Sequence, residues 1–294
     1  METALARMEI ARLGDELRRT VITPESAYWP TYEHFLKRSE YLKGILQSQI
    51  ETLLSEKDVS ITGRTKSRDT LRAKLVNLQT MKLGSIDDII GIRIVGDFNL
   101  DEQDEIAALL DNFFDPVHKK IDRRSKPTSG YRAVHRIVKI EEMHAEIQIR
   151  TLLQSQWADL FERTADTWGR QIRYGLPPDC KSDIEKIFKE KVINRMIELS
   201  VEYISIFEEH SRHINSKSEE ADPDLFVKKL PSRRELIGSS RERIIDALKF
   251  KQSAYRSKLL TERWVESEKS YKESVMGLKR RIDSILEDLA GSLE

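Results

Sequence analysis

Apolar residues in the first sixty positions recur with helical spacing. Tyr28, Tyr32, Phe35, Leu42, Leu46 and Leu53 fall on one stripe of a 3.6-residue period, and Pro24 and Pro30 mark where that helix begins. From about Ile61 to Thr167 the pattern changes. Short apolar runs rich in β-branched residues appear at Ile89–Val95, Ala133–Ile140 and Met143–Arg150. Between the first two, Ile106, Leu109, Leu110 and Phe113 predict a helix over Glu102–Phe113. Strand, helix, then two strands separated only by Glu141-Glu142 imply a mixed β-sheet flanked by helices, an α/β (α+β) fold ending in a hairpin. After Pro177-Pro178 the chain reads as helix again over Asp183–Arg212, then as a polar loop over Ser216–Asp224. Tyr271, Val275, Leu278, Ile282, Ile285 and Leu289 follow a 4-3-4-3-4 spacing, a heptad seam. That seam suits either an intramolecular helical hairpin or a dimer or partner interface.

The 294 residues carry 50 Lys+Arg against 50 Asp+Glu, so the neutral total argues against a surface committed throughout to nucleic acid or anionic membrane. A single cysteine, Cys180, excludes an internal disulfide and a cysteine-rich zinc site. Met1–Ile10 shows no signal-peptide pattern and no apolar run is long enough to span a membrane. The expectation is a soluble, cytoplasmic protein.

Despite the neutral total, basic residues concentrate in two segments, Gly63–Lys74 and Lys119–Arg132. In the first, a helix starting near Ser67 puts positions 66, 70 and 74 on one face, beside the apolar stripe Leu71, Leu75 and Leu78. Cations and a hydroxyl at a helix N-terminus suit polyphosphate, though a solvated helix face has the same pattern. The second segment holds Ser129-Gly130-Tyr131, where glycine permits close backbone approach and an aromatic ring can stack on a base. In Met143–Arg150, alternation puts Ala145, Ile147 and Ile149 on one face and His144, Glu146, Gln148 and Arg150 on the other. With residues 141 and 142 as the turn, His135 lies opposite Gln148. This face is either a site or the solvent side of an antiparallel sheet. Asp87-Asp88 stands at a strand entrance, and with Glu146 nearby could hold Mg²⁺, which takes one or two carboxylates together with phosphate oxygens.

Together these residues resemble the synthetase domain of the RelA/SpoT family, nucleotide pyrophosphokinases that make guanosine tetra- and pentaphosphate. Gly63-Arg64-x-Lys66-x-x-x-Thr70-x-x-x-Lys74 resembles the family's G-R-x-K-x-x-x-S-x-x-x-K. Asp88-Ile89-Ile90-Gly91-Ile92-Arg93 resembles its D-x-x-G/A-I-R, and Ser129-Gly130-Tyr131-x-x-x-His135 its S/N-G-Y-x-x-x-H. Glu146-Ile147-Gln148-Ile149-Arg150-Thr151 is its E-x-Q-I-R-T, followed by Trp157-Ala158. The resemblance covers about Ile61 to Arg170 and implies a nucleotidyltransferase-like fold.

The resemblance also implies roles. Arg64, Lys66, Thr70, Lys74 and Arg93 would bind the donor ATP. Tyr131, His135, Gln148 and Arg150 would face the acceptor, with Tyr131 stacked on its guanine. Asp88 and Glu146 would be catalytic, holding Mg²⁺, with Glu146 activating the acceptor 3′-hydroxyl. The implied reaction is transfer of the β,γ-pyrophosphate of ATP to the 3′-hydroxyl of GDP or GTP. No adjacent His-Asp pair occurs, so the family's hydrolase half is expected to be missing. Two departures leave the acceptor open. Lys126 sits one place earlier than the family's loop lysine, and Asp122-Arg123-Arg124 replaces its D-Y-I. The alternatives are a toxin-like pyrophosphokinase acting on the tRNA 3′ end, for which Arg123, Arg124 and Lys126 would suit an RNA backbone, and a degenerate nucleotide-binding protein without activity. The implied organisation is N-terminal helices over 1–60, a synthetase domain over 61–178 and a helical region over 179–294 that mediates oligomer or partner contacts.

Overall fold

The computed structural model describes residues 5–209 and four further helical positions, 277, 280, 284 and 287. The expected loop at Ser216–Asp224 and the seam from Tyr271 to Leu289 lie outside the described residues. The chain divides into two compact units, Met1–Lys186 and Ile187–Glu294.

The first unit is built on a five-stranded mixed sheet of order β1-β2-β5-β4-β3. Its strands are β1 (Ser60–Thr65), β2 (Ile90–Gly96), β3 (Lys119–Asp122), β4 (Val134–Ile140) and β5 (Met143–Thr151). The central strand β5 runs parallel to its neighbour β2, and every other neighbouring pair is antiparallel. The helices are α1 (Arg7–Arg19), α2 (Trp29–Leu53), α3 (Arg68–Asn77), α4 (Leu100–Phe113) and α5 (Leu152–Trp168).

The expected stripe of α2 is its buried face: Tyr32, Phe35, Leu42 and Leu46 join Ile50 in the core, and Pro30 sits in the first turn. This face packs with Leu13 and Leu17 of α1 and with Ile90, Ile92, Ala145, Ile147 and Ile149 of the central strands. The expected helix at 102–113 begins at Leu100, where the Asn99 side chain accepts from the amides of Asp101 and Glu102. Its buried face runs through Leu100, Gln103, Ile106, Ala107 and Leu110, whereas Leu109 and Phe113 point outward.

Two strands were not expected. β1 and β3 are the sheet's edges and contain no buried residue, and with one apolar side chain each, Ile61 and Ile121, neither shows the apolar alternation that marks a half-buried strand. The hairpin has the expected register, His135 opposite Gln148, because Ile140 pairs with Met143 and leaves only two residues to turn. Glu141 takes a positive φ of 53°, the requirement of the first position of a II′ turn, and the Arg38 guanidinium grips its carboxylate.

In the second unit, α6 (Asp183–Glu198, its first turn still in the first unit) continues as a π-helical stretch, Leu199–Ile204, and stays helical to residue 209. Among the described residues no helix is long and apolar enough to cross a membrane.

Candidate active site

One face of the sheet is mostly apolar and packs on α2 and α4. On the other face β5 presents His144, Glu146, Gln148 and Arg150, the set read from alternation, with Arg93 opposite Gln148 on β2 and His135 opposite it on β4. Of these, Arg150 is buried to 1% exposure.

Four of these side chains and Tyr131 close a ring of hydrogen bonds. Arg150 Nη2 donates to the Tyr131 hydroxyl at 2.9 Å and to Gln148 Oε1 at 2.7 Å. Gln148 Nε2 donates to Glu146 Oε2 at 2.7 Å, and His135 Nδ1 lies 2.9 Å from Glu146 Oε1. His135 Nε2 lies 2.9 Å from the Tyr131 hydroxyl. Arg150 donates to the Tyr131 oxygen, and because an ionised carboxylate only accepts, His135 carries a proton on Nδ1 and donates it to Glu146. Burial works to raise the Glu146 carboxyl. The hydrogen bonds and charge gathered from His135 and the Gln148 amide outweigh it and hold the group below its ordinary range. Burial raises the Tyr131 phenol, which stays protonated.

Tyr131 reaches this ring from a tight turn. Ser129 and Gly130 have φ of 49° and 84°, both left-handed, and the Tyr131 amide donates to the Thr128 carbonyl at 2.9 Å. Two consecutive positive φ values define a I′ turn, which is why a glycine precedes the tyrosine. The Arg150 guanidinium lies 5.0 Å from the centre of the Tyr131 ring, and His135 meets that ring edge-on at 5.6 Å.

A second cluster joins the first basic segment to the acid at the strand entrance. Lys66 and Lys74 donate from Nζ to opposite oxygens of Asp88, at 2.5 Å and 2.8 Å. Burial works to raise the Asp88 carboxyl, but these two ammonium groups prevail and lower it. Its charge acts on Glu146, so the two ionised carboxylates are near enough to interact. Ser67 occupies the N-cap of α3, as expected, without a side-chain cap. Thr70, expected to share a face with Lys66 and Lys74, turns its hydroxyl to Ser67 instead, donating to the carbonyl at 2.8 Å. Arg64 is exposed on β1 opposite Gly91, and its side chain lies across that glycine.

Asp159 was not anticipated. It accepts from Arg93 Nη1 at 3.0 Å and ties α5 to the polar face. No local pattern marks it, since the contact spans 66 residues. Half of the basic residues in the second segment are paired with acids. Arg124 is held by Asp122 and Asp104, Lys119 by Asp87 and Lys120 by Asp111.

A five-stranded mixed sheet flanked by helices is an architecture shared with small alarmone synthetases. Small alarmone synthetases 1 and 2 from Bacillus subtilis superpose with TM-scores of 0.50 and 0.51. They are 21% and 20% identical, with 64% of this chain and 97% and 99% of theirs covered. Residues 63–165 match the family model described as the region found in RelA / SpoT proteins, and the chain carries a RelA/SpoT-family domain. An uncharacterized protein of Mycobacterium tuberculosis is 39% identical over 172 residues, 58% of this chain. The chain spans 62% of that relative's length.

Proposed function

We propose that this protein is an ATP-dependent nucleotide pyrophosphokinase that transfers the β,γ-pyrophosphate of ATP to the 3′-hydroxyl of GDP or GTP, with no hydrolase activity. One observation carries the reading: the ring of hydrogen bonds that keeps Glu146 ionised, within electrostatic reach of a second carboxylate flanked by two lysines. In this reading residues 61–178 are the catalytic part, the helices of 1–60 support it, and 179–294 serve assembly or regulation.

The acceptor 3′-oxygen attacks the β-phosphorus of ATP. The bond from that phosphorus to the α,β-bridging oxygen breaks, AMP leaves with the oxygen, and the 3′-hydroxyl proton passes to Glu146. His135 and Gln148 occupy one site on each Glu146 oxygen, leaving lone pairs for the hydroxyl. A carboxylate held below its ordinary range is a weak base, so Glu146 orients the hydroxyl first and takes its proton late. Lys66 and Lys74 exchange part of their contact with Asp88 for phosphate oxygens, and the uncapped start of α3 offers amides to the same anion. Arg64 and Arg93 line the donor side, and Thr70 supports the α3 start. Tyr131 offers a ring to the acceptor base.

The donor set fits Mg²⁺: Asp88 and Glu146 supply hard anionic oxygens, and the substrate phosphates supply the rest. When bound, the ion would neutralise charge on the phosphates and on the departing oxygen. A tRNA acceptor is less well supported, because Arg124 is already engaged by Asp122 and Asp104. The fold carries no membrane-spanning helix among the described residues, in keeping with a cytoplasmic enzyme.

The test is incubation of the purified chain with γ-labelled ATP, Mg²⁺ and, in separate reactions, GDP, GTP or bulk tRNA. Label moving to a guanosine nucleotide supports the proposal. Label on tRNA alone, or on nothing, sinks it.

A further inference from the structure

At the hairpin end of the sheet, away from the hydrogen-bonded ring, three metal-ligating side chains converge from separate segments. Asp87 precedes β2, His118 precedes β3, and His144 is the second residue of β5. One ligand atom of each lies within 4.8 Å of the other two. His144 Nδ1 stands 3.7 Å from Asp87 Oδ1, beyond hydrogen-bond reach, and is buried without a partner. The His118 and His144 rings stack with centroids 4.5 Å apart and planes 16° apart, holding both imidazoles beside the carboxylate. Lys119 Nζ donates to both Asp87 oxygens, at 3.0 Å and 2.7 Å, so a cation already sits on this acid.

We propose that Asp87, His118 and His144 form a site for a divalent transition ion, best matched by Zn²⁺ and separate from the Asp88–Glu146 pair. Two imidazoles and one carboxylate are a donor set that Zn²⁺ takes, whereas Mg²⁺ selects oxygen alone. With bonds of about 2.0–2.1 Å, a tetrahedral ion holds its ligand atoms roughly 3.3 Å apart. The 3.7 Å separation of His144 and Asp87 needs little adjustment to reach that. The ion takes over the charge that Lys119 now supplies, and that half-exposed side chain rotates outward. His118 and His144 also border a cavity of about 350 Å³ with Lys82, Ser85 and Lys139, which gives the ion a path in and room for a water as fourth ligand. Because Asp87 adjoins Asp88, an ion bound there would fix the strand entrance on which the catalytic acid stands. The site itself does not depend on the proposed activity.

The experiment titrates Zn²⁺ alone into the untagged full-length protein, held in excess Mg²⁺, against a chromophoric chelator. Co²⁺ in place of Zn²⁺ reports geometry by its visible spectrum. One equivalent should bind, and Co²⁺ should give tetrahedral bands. His118→Ala removes an exposed ligand with little consequence for folding, and should weaken binding at least about tenfold, as loss of a direct ligand exceeds the usual effect of losing its support. Lys119→Met should tighten binding severalfold, an effect a merely structural cluster would not show. Asp88→Asn should leave the equivalent intact. Absence of stoichiometric binding, unchanged affinity in His118→Ala, or loss of the equivalent in Asp88→Asn would each overturn the proposal.

Discussion

His135 donates from Nδ1 to Glu146 Oε1 at 2.9 Å, across two neighbouring strands, while its Nε2 lies 2.9 Å from the Tyr131 hydroxyl. The imidazole therefore links the side chain assigned to the acceptor base with the one assigned to the acceptor hydroxyl. Glu146→Gln keeps the shape of this link and removes its charge. Pyrophosphate transfer should fall by about 10²-fold or more, the usual scale for losing a positioned base. Circular dichroism should stay unchanged. A variant retaining more than a tenth of wild-type turnover would remove Glu146 from the chemistry.

The same carboxyl makes stability depend on pH. Its folded-state pKa lies below the value of about 4.3 expected in the unfolded chain. The stabilisation is therefore present above that value and is lost as pH falls through the folded-state pKa. Asp88 acts with the same sign. Melting temperatures from about pH 5 down to about pH 2 should drop more steeply for the wild type than for the Glu146→Gln, Asp88→Asn double variant. Parallel curves would show that neither acid is held ionised by the fold.

Asp88→Asn tests the other cluster. Without the carboxylate, Lys66 and Lys74 lose the anion on which they converge. Activity should fall, and the Mg²⁺ concentration for half-maximal rate should rise, because a hard cation prefers an anionic oxygen. If the Mg²⁺ titration is unmoved while the melt shifts, Asp88 serves only to brace the lysines.

Tyr131 has two separable features, a hydroxyl in the hydrogen-bonded ring and a ring face. Tyr131→Phe should lower kcat with little change in acceptor KM, since it breaks the link between Arg150 and His135. Tyr131→Ala should in addition raise acceptor KM, by about tenfold for a lost stacking contribution of roughly 1–3 kcal/mol. Equal effects of the two substitutions on both substrates would make the residue a loop anchor.

The β4–β5 hairpin is legible in the sequence because one of its strand faces is buried, and a two-residue turn leaves a single register. That register alone sets His135 beside Gln148 and puts Glu146 on the same face. The edges are not legible. β1 runs into the first basic segment and β3 lies inside the second, and neither has the alternating apolar residues that a buried face would impose. Long-range partners are likewise silent in the sequence. Nothing local indicates that Arg93 meets Asp159, or that adjacent acids part company, Asp88 to Lys66 and Lys74 and Asp87 to Lys119. The two basic segments look equivalent by composition. Only the fold shows that Arg124 is neutralised while Lys66 and Lys74 gather at the site.

The central claim is pyrophosphate transfer, and the products of a single reaction test it most directly. Purified protein with ATP, GDP and Mg²⁺ is followed by ³¹P NMR and mass spectrometry of the nucleotides. The account predicts one AMP for each guanosine nucleotide carrying a new 3′-pyrophosphate, with formation of both suppressed in Glu146→Gln. Formation of ADP as the co-product, which would mean transfer of a single phosphoryl group, or AMP release without a 3′-modified guanosine nucleotide, would contradict it.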